Sequence, residues 1–136
     1  MSDFKQNIIE VKSNIDKYLI KTPVLRFDLI DSLCNSEVFF KCENFQHTGS
    51  FKYRAALNAI KNIPYDFKKR GVITHSSGNF ALALSRASHE LNIPCYIIMP
   101  SNTPDFKKKS VLKYTNNIIE CEPNLNSREQ TTKTVM

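Results

Sequence analysis

Two short stretches carry residue types that do chemistry. In "KCENFQHTGSFKYRAALNAI", residues 41–60, Lys52 stands just inside a helix start, behind Gly49, Ser50 and Phe51. A lysine's charge costs free energy to bury, and a desolvated lysine near other cations gives up its proton more readily. The neutral amine can then attack a carbonyl carbon to form a Schiff base, and Lys41 and Arg54 offer the neighbouring positive charge. In "THSSGNF", residues 74–80, the residues Ser76, Ser77, Gly78 and Asn79 end an apolar run and open a helical pattern. Backbone N–H groups and hydroxyls converge there on the positive end of a helix dipole, which suits a carboxylate or a phosphate. Taken singly, each stretch also has a plainer reading: a solvated surface lysine, and a capping turn.

The elements that must position these residues follow from periodicity. Phe4, Ile8, Val11, Ile15 and Tyr18 or Leu19 mark one face of a helix over 3–20, capped by Ser2 or Asp3 and stopped by Pro23. "VFFKCE", 38–43, reads as a short apolar strand, and 50–63 as a helix with Ser50 as N-cap and Pro64 beyond its end. From Gly71 onward the pattern alternates: strand "VITHS", helix 79–91, strand "CYIIMP", helix 104–114, strand "NIIEC", then a helix from Asn126 or Ser127. Asn92 suits a left-handed helix end, and Thr103-Pro104 reads as cap plus first helical residue. Short strands alternating with helices predict an α/β fold, a parallel sheet with flanking helices, whose ligands bind at the carboxyl ends of the strands. The last helix, "SREQTTKTVM", has no closing glycine and no strand after it, so the α/β unit is expected to be incomplete. Phe4, Ile8, Val11, Phe39 and Phe40 are then expected to lack part of the core they were built to face.

Composition limits the function classes. The 136 residues, 41% apolar and 24% charged, suit one compact core, or one domain and a piece of another. The net charge of +6 concentrates in Lys68-Lys69-Arg70 and Lys107-Lys108-Lys109. With no nucleic-acid motif and no interleaved aromatics, these runs read as solvated faces, and no nucleic-acid partner is expected. Cys34, Cys42, Cys95 and Cys121 are widely spaced without a CxxC pair, which argues against zinc and for reduced thiols, those at 42, 95 and 121 in buried strands. No apolar run approaches the length of a membrane span and the N-terminus has no apolar signal core, so a cytoplasmic protein is expected.

Together, "KCENFQHTGSFKYRAA" and "HSSGN" resemble the N-terminal part of the fold type II pyridoxal-phosphate enzymes, with a tryptophan synthase β-like fold. Within them the likeness is to serine racemase and the serine/threonine dehydratases. "TPV" (22–24), "IPCYIIMP" (93–100) and "CEP" (121–123) extend it over almost the whole chain. The resemblance implies that Lys52 binds pyridoxal 5'-phosphate covalently and takes the α-proton from one face of the amino acid. It implies that Phe51 packs on the cofactor ring and Asn79 bonds its phenolic oxygen. Ser76, Ser77, Gly78 and Asn79 would hold the substrate carboxylate, with Ser77 as acid or base on the opposite face.

Residues 1–68 would then belong to the larger domain of the family and 69–136 to an incomplete smaller domain. The implied function is that of the N-terminal portion of a dehydratase (ammonia-lyase) or racemase acting on serine or threonine. A homodimer or a complementing C-terminal chain are the partners it implies; the other reading is a non-catalytic remnant or binding module of the same fold. Phe80, Leu82 and Ala55 replace the family's histidine, glutamine and glycine. The family's phosphate-binding glycine-rich loop lies in the C-terminal half of relatives, and the three glycines here, Gly49, Gly71 and Gly78, are not adjacent.

Overall fold

The computed structural model describes residues 2–136, and of Ser2 the backbone alone, so a cap from the Ser2 side chain lies outside the described residues. Helix α1 runs Ser2–Ile15 and gives way to a 3-10 turn at Asp16–Tyr18, ending short of the expected residue 20. Ile15 is buried, and Val11, Tyr18 and Leu19 pack on the core, so the amphipathic face ends where the chain turns. A two-stranded antiparallel ribbon follows, β1 (Val24–Leu25) with β2 (Phe40–Lys41), and between them lies helix α2 (Asp28–Cys34) with no buried residue. The strand expected over 38–43 is thus two residues long and exposed, and Cys42 is only half-buried, because no second layer covers it.

Helix α3 spans Lys52–Lys61 and buries Tyr53, Ala56, Leu57 and Ile60, the i, i+3, i+4, i+7 stripe of its sequence. A single turn, α4 (Tyr65–Lys68), leads to the parallel sheet of β3 (Val72–His75), β4 (Cys95–Pro100) and β5 (Ile118–Cys121), in that spatial order. Helices α5 (Asn79–Glu90), α6 (Asp105–Leu112) and α7 (Leu125–Val135) follow the three strands. Register pairs Val72 with Cys95 and Ile97 with Ile118. Cys95, Ile97 and Met99 of β4 face the core shared with α3 and α5, and Ile98, on the other face by the period of two, is also fully buried. A central parallel strand covered on both faces explains why "CYIIMP" is apolar without alternation.

The connections show why the elements stop where they do. Asn92 has φ 53, the left-handed helix end expected of it. Gly71 has φ +92, and a Cβ there would lie 2.5 Å from the Pro94 carbonyl oxygen, so close approach of two backbones requires glycine. Two expected helix starts differ. α6 begins at Asp105 with Pro104 as N-cap, and the Thr103 hydroxyl is buried without a partner; α7 begins at Leu125, capped by Asn124, whose Oδ1 accepts from Ser127 N at 2.7 Å.

Candidate active site

The turn before α3 is built by side chains that fold the backbone back on itself. Gln46 is buried; its Nε2 donates to the Ile20 carbonyl at 2.9 Å, and its Oε1 accepts from Ile20 N and His47 N. Thr48 (φ 64) and Gly49 (φ 67) both take left-handed conformations, reversing the chain within two residues. Ser50 is extended and Phe51 is already helical, which delivers Lys52 to the first turn of α3. The expected N-cap contact from Ser50 is absent: its hydroxyl is buried and unpartnered, while its carbonyl accepts from Tyr53 N. On α3, Tyr53 is fully buried and donates its hydroxyl to Glu90, which also accepts from Arg86 Nε at 3.0 Å. Burial holds the Tyr53 phenol well above its ordinary range, so it stays a donor. These contacts brace the start of α3 against the end of α5.

Lys52 is half-buried, and among the described residues it makes no hydrogen bond or ion pair; its Nζ lies 4.8 Å from the Phe51 ring centroid. Of the two cations expected around Lys52, Arg54 is ion-paired, while Lys41 keeps its charge and hydrogen-bonds a neutral carbonyl. Arg54 donates from Nε and Nη2 to the Glu43 carboxylate, both at 2.8 Å, and Lys41 donates to the Thr22 carbonyl at 2.7 Å. Thr22 in turn donates to Glu43 at 2.7 Å. Arg54 is thereby neutralised, and the Glu43 carboxyl is held below its ordinary range chiefly by that guanidinium.

The second motif lies at the carboxyl end of β3, as an open α/β sheet requires. Ser76 Oγ accepts from Gly78 N at 3.4 Å; Ser77 is half-buried, and Asn79 is the exposed first residue of α5. No side chain caps this helix start, and a Cβ at Gly78 would meet nothing within 4 Å, so the turn's backbone is open to an incoming group. Phe80 half-buries its ring against the main core. Packing of α3 on α5 joins the two motifs, but no hydrogen bond among the described residues links Lys52 to Ser76–Asn79. A cleft of about 690 Å³ lies between α1 and α3 instead, with Lys41, Arg54, Ala55 and Asn58 of the first stretch in its wall, and neither Lys52 nor Ser76–Asn79 lines it.

Gln46, Glu43 and Thr22 position the lysine turn yet carry no role in the sequence reading. The polar run "ENFQHTG" ahead of an apolar helix is the signal that such a turn is held by side chains.

Residues 15–136 match the model of a protein family described as pyridoxal-phosphate dependent enzyme. A serine racemase of Dictyostelium discoideum is 42% identical over 128 residues, covering 94% of this chain and 40% of the relative. A beta-hydroxyaspartate dehydratase of Paracoccus denitrificans is 40% identical over 126 residues, covering 93% of this chain and 40% of the relative. The crystal structure of the Dictyostelium serine racemase superposes with a TM-score of 0.89 at 42% identity over 96% of this chain and 42% of that one. The chain spans about 40% of the length of the curated relatives it matches.

Proposed function

We propose, from the premise that this chain belongs to the family of pyridoxal-phosphate-dependent enzymes, that it carries the lysine and serine-loop half of a site for dehydrating or racemising serine or threonine. Residues 1–68 belong to the larger domain of that enzyme and 69–136 to its smaller one. The observation that carries the reading is the pair of helix starts on one core: Lys52 without a polar partner at α3, and the uncapped Ser76–Asn79 turn at α5. The residues fit the cofactor in part. A primary amine with no competing ion pair, an exposed aromatic ring beside it and an open backbone turn suit a pyridine aldehyde. A phosphate cradle is not among them, since no two of the three glycines are adjacent.

When bound, pyridoxal phosphate supplies an electron sink for the carbanion left by loss of the α-proton. Lys52 Nζ would hold the cofactor and would accept that proton from one face of the amino acid. Phe51 would pack on the pyridine ring, and Asn79 would hydrogen-bond the phenolic oxygen. Ser76, Ser77, Gly78 and Asn79 fix the substrate carboxylate by hydroxyl and backbone N–H donation at the positive helix end. Ser77 Oγ would give or take a proton on the opposite face, the role that permits racemisation.

The second reading, a non-catalytic remnant or binding module, is favoured by one observation: the Arg54 charge that was expected to activate Lys52 is spent on Glu43. Borohydride reduction at limiting cofactor, followed by peptide mapping, separates the two. Preferential label on Lys52 that vanishes in Lys52→Ala and persists in Ser77→Ala is the expected result. Label scattered over the other lysines with no preference for Lys52 would leave the motif as ancestry alone.

A further inference from the structure

The two basic runs end in different surroundings. On α6, Lys108 is neutralised by Glu120 at 2.5 Å and donates to the Ser101 carbonyl, while Lys107 and Lys109 are exposed. Lys68 and Lys69 instead line a cavity of about 330 Å³ together with Lys61, Tyr65, Asn92 and Pro94. Among the described residues no carboxylate lines it and none of its three lysines forms a salt bridge. Their ammonium groups rest on neutral partners. Lys68 Nζ donates to the Lys61 carbonyl at 3.3 Å, Lys61 Nζ lies 4.9 Å from the Tyr18 ring centroid, and Lys69 Nζ lies 5.5 Å from that of Tyr65. Lys61 and Lys68 are half-buried.

We propose that this cavity is a binding site for a small phosphate compound carrying at least two negative charges. Three like charges around one concavity raise the local potential, and a bound anion relieves their repulsion. The volume lies near the lower end of ligand pockets, about 300–1,000 Å³, which selects a compact ligand over a polymer. The Tyr65 hydroxyl and the Asn92 amide add neutral donors for phosphate oxygens. The cavity joins the end of α3, the α4 turn and the left-handed step at Asn92, so an occupant ties together three connections of the fold. Neither Lys52 nor the Ser76–Asn79 turn lines it, so the site stands independently of the proposed chemistry.

Calorimetric titration of inorganic pyrophosphate into the chain, at low and at physiological ionic strength, tests the assignment. One saturable event is expected, weaker at the higher salt. Lys68→Gln or Lys69→Gln should each weaken it about tenfold through loss of one charge-assisted contact. Lys68→Arg should retain it, and Lys107→Gln, Lys109→Gln and Lys52→Ala should leave it unchanged. No saturable event, or equal loss in Lys107→Gln and Lys68→Gln, would overturn the site and leave only general attraction to a chain of net charge +6. A short DNA duplex displacing pyrophosphate at lower concentration, with the same lysine dependence, would overturn the small-ligand assignment in favour of nucleic acid.

Discussion

At Glu43 the carboxylate accepts three hydrogen bonds, two from Arg54 and one from Thr22. Its side chain is 15% exposed and that of Arg54 33%, so the pair is screened only in part. Glu43→Gln leaves the guanidinium half-buried without a countercharge, and a loss of about 1.5–3 kcal/mol at neutral pH is expected from urea unfolding. The sign with pH follows from the lowered Glu43 pKa: its contribution is complete above the ordinary value of 4.5 and is lost as pH falls through the lower folded value. Parent and variant should therefore converge in acid. Phe80 poses a different residue-scale question, because its ring packs on the main core beside the proposed carboxylate site. In a chain completed with a relative's C-terminal half, Phe80→His is expected to raise turnover about tenfold by adding a donor to a charged group. The accompanying packing loss should lower stability by about 1 kcal/mol. Unchanged kcat with a lowered Tm would assign Phe80 to packing alone.

Among the elements, the tightest constraint lies where α4 feeds β3. Gly71 combines φ +92 with a would-be Cβ contact of 2.5 Å to Pro94, and Val72 N donates to that same Pro94 carbonyl at 2.8 Å. Gly71→Ala must strain the backbone or open the first rung between β3 and β4, at a cost of about 1–3 kcal/mol. Denaturant midpoints should show this cost, while Asn92→Gly, at a left-handed position any glycine accepts, should fall within about 0.5 kcal/mol of the parent. The strand–helix alternation after Gly71 was legible because buried parallel strands and amphipathic helices leave different periods in the sequence. Caps were less legible: Ser50 and Thr103 are good capping residues by type, yet both hydroxyls face inward without a partner. One residue of backbone rotation at a helix start decides whether a side chain caps it, and neighbouring packing sets that rotation.

Over the whole molecule, apolar surface is concentrated N-terminally. Phe4, Leu29, Leu33 and Phe39 are each more than 60% exposed, and α2 buries nothing. Exposed apolar side chains of that size favour association in water. The chain is expected to self-associate at micromolar concentration in sedimentation velocity, with Leu33→Ser and Phe39→Ser together shifting it toward monomer; a monodisperse parent would contradict this. The sequence by itself determined the α/β class, the order of strands and helices from Gly71 onward, and the two motifs that mark the family, because each is written in local period or in contiguous residue types. Only the tertiary structure decided how the lysine turn is held. Gln46 reaches back 26 residues to Ile20, Glu43 takes the charge of Arg54, and Tyr53 is buried against Glu90. It also decided that Lys108 of one basic run pairs with Glu120 while Lys68 and Lys69 of the other line a cavity. Such pairings join residues far apart in the chain, and charge partners and burial are properties of distance in space, which no local pattern encodes.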